Sequence, residues 1–160
     1  MEVWPDPVER VAAVLKAAAV DARIEQFDEG TPTARDAARA VGCELAQIVK
    51  SLVMVCDGAY VLALVPGDRR ADEGAVARAV GAQEVRVAKA HEVVHATGFE
   101  PGGVAPFPQR AITRTLMDRS FFGWETVWIG AGTPSHMAEL APAELQRLTV
   151  AAAVDVTEPG

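Results

Sequence analysis

The sequence predicts one domain over residues 1–160, of mixed α/β (α+β) class. Three observations carry that expectation. Short runs rich in Val, Ile and Leu are intermixed with short helical patterns along the chain. Two of the apolar runs, residues 48–56 and 59–65, are separated only by Asp57-Gly58. That dipeptide is a strong hairpin signal, because a type I′ turn needs positive φ at both central positions. No strict βαβ repetition accompanies the hairpin, so strands and helices must share one layered core in mixed order.

The first helix opens at "DPVER": Asp6 is the expected N-cap, Pro7 takes the first helical position and Glu9 follows three after the cap. Val8, Val11, Val14 and Leu15 then mark one helical face. "IEQF" is a short strand candidate. A second helix is capped by Thr33, with Asp36 three later, and stops at Gly42. In the hairpin that follows, the turn sets Cys56 opposite Ala59, Met54 opposite Val61, Leu52 opposite Ala63 and Lys50 opposite Val65. A third helix runs from its cap Asp72 to Gly81, "EVRVA" is a strand, and "KAHEVVHATG" is a helix stopped at Gly98. "FEPGGVAPFPQR" has too many prolines and glycines for regular structure. "AITRTLMD", "ETVWIGAG" and "HMAEL" read as strands, "APAELQRL" as a helix with Pro142 at its start, and "AAAVDV" as a last strand.

Composition bounds the function. Half the residues are hydrophobic and 23% are charged, which is ordinary for a globular chain. A net charge of −7 argues against coating nucleic acid wholesale and leaves room for a local basic groove. No apolar run reaches the length of a membrane span, and "MEVWPDPVER" lacks a basic segment followed by an apolar one, so no membrane partner and no secretory signal are expected. Cys43 and Cys56 lie among apolar neighbours, which fits small core residues in a reducing, cytoplasmic compartment.

Four stretches could carry chemistry. Lys50 is first: strand alternation puts it on the face of Ile48, Leu52, Met54 and Cys56, all apolar. A lysine there either runs its stem along apolar surface to water or projects over a pocket floor toward an anion. The second is "GFEPGGVAPF", in which Gly98, Gly102 and Gly103 can bring backbone N–H groups close to a ligand while Pro101 and Pro106 stiffen the loop. The third is "GAGTPSHMAEL", where Gly132, Thr133, Ser135 and His136 follow a strand and can line a pocket. The fourth, His91-Glu92-x-x-His95, matches a zinc-hydrolase helix, but Pro101 stands where the longer form has its third ligand. A catalytic zinc needs three protein ligands, so no metal is expected. Arg69, Arg70, Arg110, Arg114 and Arg119 could together flank one groove that takes a phosphate backbone.

Taken in order, the lysine strand "QIVKSLVMV", the loop "TGFEPGGVAP" and the turn after "VWIG" resemble the YbaK/EbsC family, the prolyl-tRNA-synthetase-associated editing domain. The resemblance implies a curved mixed sheet wrapped by short helices around one pocket. It implies a trans-acting aminoacyl-tRNA deacylase that needs no cofactor. Its partner would be the 3′ acceptor end of mischarged tRNA, probed in association with a synthetase or an elongation factor. Lys50 would engage the tRNA end, and the loop from Gly98 to Pro106 would hold the aminoacyl ester. Thr31, Thr33, Gly132, Thr133, Ser135 and His136 would complete the substrate site. Alanine, serine, threonine and cysteine all stay open as the edited amino acid. A non-catalytic module that captures tRNA ends or nucleotides is the alternative, and a zinc hydrolase on His91 and His95 a third reading.

Overall fold

The computed structural model describes residues 3–27, 30–31 and 33–159. Helices α1 (Asp6–Ala17), α2 (Ala34–Val41), α3 (Glu73–Val80), α4 (Ala90–Thr97) and α5 (Pro142–Thr149) pack around strands β1 (Arg23–Gln26), β2 (Val49–Cys56), β3 (Ala59–Pro66), β4 (Val85–Val87), β5 (Ile112–Asp118), β6 (Val127–Gly130), β7 (His136–Leu140) and β8 (Ala152–Val154). Short 3₁₀ turns at Leu45–Gln47 and Arg119–Gly123 were not foreseen from the sequence.

The hairpin forms with the expected register, from Cys56↔Ala59 to Lys50↔Val65. Asp57 and Gly58 both take positive φ, at 49° and 83°. Thr33 and Asp72 cap α2 and α3 through their side chains, as their spacing predicts. Asp6 does not cap α1: it is the first helical residue, and Pro5 stands at the cap. Glu9 instead reaches back to accept from the Trp4 N–H at 3.2 Å, satisfying a donor just outside the helix.

The strands make two sheets, where one curved sheet was expected. One has the order β4-β2-β3-β5-β8, the other β1-β7-β6. A single parallel bridge, Ile48↔Trp128, joins them. Periodicity identifies strands but not their neighbours, so the division was invisible in the sequence. β3 is central and buried on both faces, which explains its unbroken apolar run. Leu62 and Leu64 face a core with Phe99, Met117, Phe121 and Ile129, while Val61, Ala63 and Val65 face a second with Met54, Leu116 and α3 Val76. A third, small cluster of Ala37, Ala38, Ile48, Trp128 and Met137 fastens α2 over the junction of the sheets.

Candidate active site

β4 pairs with β2 only at Met54–Cys56. Among the described residues no strand pairs with the other edge of the first half of β2, and a cleft of about 330 Å³ opens there. Its walls come from four places: Ile48 and the first half of β2, Thr31, Thr33, Ala34 and Ala37 at α2, Gly102 and Val104 of the proline-rich loop, and Gly130, Thr133, His136 and Met137 around the β6–β7 turn.

Lys50 lines this cleft at the open end of the second core, and its Nζ donates to the Arg69 carbonyl at 2.5 Å. Burial pulls its ammonium pKa below the ordinary 10.5; Asp68 opposes that shift and Arg70 adds to it. Beside it, Ser51 Oγ is buried without a hydrogen-bond partner among the described residues.

The β6–β7 turn is tied by its own side chains. Thr133 Oγ1 accepts from the Ser135 N–H at 3.1 Å and lies 2.5 Å from His136 Nδ1. Thr31 braces it, since its Oγ1 and its N–H both donate to the Pro134 carbonyl. His136 is 4% exposed, with Trp4 edge-on at a centroid distance of 5.5 Å. Burial lowers its pKa, favouring the neutral imidazole. The Thr133 hydroxyl thus joins the Ser135 N–H and the imidazole Nδ1 in one small network. The imidazole Nε2 is buried without a partner among the described residues.

The glycine loop packs on this turn. A Cβ at Gly103 would stand 2.8 Å from the Thr133 Cα, so only glycine permits the approach. The Gly103 N–H donates to the Glu100 carbonyl at 3.0 Å, while those of Gly102 and Val104 have no partner within the fold among the described residues. The amides of Glu100, Ala105 and Phe107 also lack one among the described residues, but of these residues only Gly102 and Val104 line the cleft.

Lys50, Thr31, Thr33, Gly102, Thr133 and His136 thus meet in one cleft, with Gly103, Gly132 and Ser135 shaping its wall from behind. Two expected site residues do not join them. Gly98 ends α4, and its carbonyl accepts from Arg10 Nη2 at 2.8 Å. Pro106 lines a separate hollow with Phe107, Ile112 and Leu148, because the loop turns inward after Val104. Ser51, Ile48 and Met137 were missed. Strand alternation sets Ser51 opposite Lys50, and only the unpaired strand edge lets both reach the same cleft.

The arginines divide as well: Arg69 and Arg119 line one groove, Arg114 lines the Pro106 hollow, and Arg110 lies beside Gly98. The zinc motif has no free base. Arg86 grips Glu92 through both oxygens at 2.7 and 2.9 Å and, with the Lys89 N–H, holds its carboxyl down to about 2. Among the described residues no three His, Cys, Asp or Glu side chains gather as a metal site.

Residues 28–148 match the model of the aminoacyl-tRNA editing domain. The chain belongs to that family. It is 30% identical over 127 residues to the uncharacterised protein YwhH of Bacillus subtilis, covering 79% of this chain and 80% of that one. It is 34% identical over 95 residues to the proline–tRNA ligase of Lactobacillus gasseri, covering 59% of this chain and 17% of the ligase, so it spans a small part of that enzyme. A protein solved as a candidate trans-editing enzyme for prolyl-tRNA synthetase superposes with a TM-score of 0.91 at 35% identity, over 98% of this chain and 100% of the other. Hypothetical protein APE2540 superposes at 0.87 with 31% identity, over 93% and 99%. The editing-domain fold is therefore that of the whole described chain. No helix among the described residues is long and apolar enough to cross a membrane.

Proposed function

We propose that this editing domain is a trans-acting deacylase that hydrolyses the ester of mischarged aminoacyl-tRNA. The observation that carries the reading is the one cleft lined together by Lys50, Gly102, Val104, Thr133 and His136. The ester carbonyl becomes an oxyanion as water attacks, and fixed N–H donors stabilise it best where solvent is excluded. Gly102 and Val104 supply such donors. Lys50 anchors the phosphate or ribose of the terminal adenosine as a positive charge held by the Arg69 carbonyl.

Direct attack by water is favoured over a covalent intermediate. A serine nucleophile needs a base within hydrogen-bond reach, and Ser51 Oγ has no hydrogen-bond partner among the described residues. His136 is engaged with Thr133 through Nδ1. The free ribose hydroxyl of the substrate would position the water. The similarity to a ligase-associated relative supports a prolyl-tRNA context, and the small lining residues Ala34 and Ala37 fit a small acyl group.

The test is deacylation of a panel of mischarged tRNAs in which the tRNA and the amino acid are varied independently. At least one combination should turn over. Lys50→Ala should lower that rate at least about tenfold, roughly 1.4 kcal/mol of transition-state stabilisation, with the fold retained. An unchanged rate in the variant refutes the role of Lys50. No turnover on any substrate would leave a module that binds tRNA ends without cleaving them.

A further inference from the structure

A groove of about 650 Å³ adjoins the cleft and is not used by the chemistry above. The two hollows share a wall. Lys50 lines the cleft, and its ammonium donates to the carbonyl of Arg69, whose residue lines the groove. Arg119 and Trp124 also line it. Both arginines are exposed, and neither is ion-paired with a carboxylate among the described residues. Each spends one nitrogen on a main-chain carbonyl: Arg69 Nη1 on Glu158 at 3.2 Å, Arg119 Nε on Ala153 at 3.3 Å. The remaining guanidinium donors are free, in a chain whose net charge is −7.

Three carboxylates share the groove, and one is already occupied. Asp118 is buried: its Oδ2 accepts from Ser120 N–H and Oγ–H, and its Oδ1 from the Val156 N–H. Asp68 lies near enough to Lys50 to favour its charged form. Asp68 and Asp155 are both exposed and without a hydrogen-bonded partner among the described residues, so the groove accepts phosphate only where the two guanidinium groups face it. Trp124 packs against the main core, is half-buried, and is the one aromatic lining the groove among the described residues. Guanidinium donors beside a part-exposed indole can hold single-stranded nucleic acid by phosphate contacts and base stacking.

We infer that this groove holds the unpaired nucleotides that precede the esterified adenosine, with phosphates on Arg69 and Arg119 and a base stacked on Trp124. The inference rests on the proposed deacylase reading for the identity of the strand. It gives the strand a direction: the groove first, then past Lys50, with the acyl end in the cleft. An aromatic face takes any base, so the groove contributes affinity and register rather than sequence choice.

Binding of an uncharged RNA microhelix ending in unpaired CCA, against the same duplex with a blunt end, tests this on the full chain. Arg119→Gln and Arg69→Gln should each weaken binding of the CCA form and reduce the slope of log affinity against log salt by about 0.7. Trp124→Ala should weaken it roughly tenfold. The blunt duplex should bind equally weakly to all variants. Should Trp124→Ala unfold, the two arginine variants still decide the matter. Equal losses for blunt and CCA forms would assign the groove to the double-stranded stem and overturn the proposal, as would unchanged binding in both arginine variants. If CCA binding falls as expected but no charged tRNA is hydrolysed, the groove stands and the deacylase reading falls. If hydrolysis is seen and the variants bind normally, the groove alone falls.

Discussion

His136 is a buried base whose folded pKa lies below its ordinary 6.5. Between those two values the unfolded chain binds a proton that the folded chain refuses, so stability rises with pH across that window. Acidification from neutrality through 6.5 should therefore destabilise the domain, and His136 should account for part of the slope. Urea unfolding midpoints from pH 7 to pH 5 should fall less steeply in His136→Gln than in the unmodified protein. Equal slopes would assign the acid sensitivity to other groups. Lys50 departs in the same direction, by burial, but its window lies below 10.5 and away from neutrality. Both thiols are raised by burial, which suits inert packing residues at Cys43 and Cys56.

Among elements, the loop from Glu100 to Val104 and the β6–β7 turn act as one unit, because each fits only against the other. Gly102 and Gly103 serve that unit differently. Gly102 has φ +88°, but a Cβ there would meet nothing nearer than Pro134 Cγ at 3.8 Å. Gly103 has an ordinary φ, but its Cβ would meet Thr133 backbone at 2.8 Å. Gly102→Ala should thus cost about 1–2 kcal/mol from the left-handed backbone alone. Gly103→Ala should cost more, since two backbone segments must part. Both should slow deacylation, because both move the amides of Gly102 and Val104. Urea unfolding of the two variants checks the order, and a smaller loss for Gly103→Ala would refute the packing argument. This loop was legible in the sequence as irregular and glycine-rich. Which of its glycines face the cleft was not, since that depends on the turn it packs against.

For the whole molecule, the site depends on how the two sheets are joined. Trp128 is 4% exposed, forms the bridge to Ile48 and packs with Ala37, Ala38 and Met137. Arg23 lies over its ring at 5.9 Å. Trp128 does not line the cleft, yet Ile48, Ala37 and Met137, which do, are its neighbours. Trp128→Ala should destabilise the fold by about 3–5 kcal/mol. Deacylation should also fall at temperatures where circular dichroism shows the variant still folded. Full activity in the folded variant would show that the cleft does not need this junction.

Local sequence determined the pieces. Cap residues at Thr33 and Asp72, stop glycines at Gly42, Gly81 and Gly98, and the Asp57-Gly58 turn act over a few residues, so their consequences could be read directly. The hairpin register and the apolar face under Lys50 followed from one turn and the two-residue period of a strand. Tertiary structure decided what the pieces meet. It divided the strands into two sheets and left half of β2 with an open edge. It kept Gly98 out of the cleft, turned Pro106 to another hollow, drew Ser51 into the cleft, and parted the arginines into separate surfaces. These outcomes depend on close contacts between segments distant in the chain, and neither periodicity nor turn chemistry records which distant backbone will come to lie alongside.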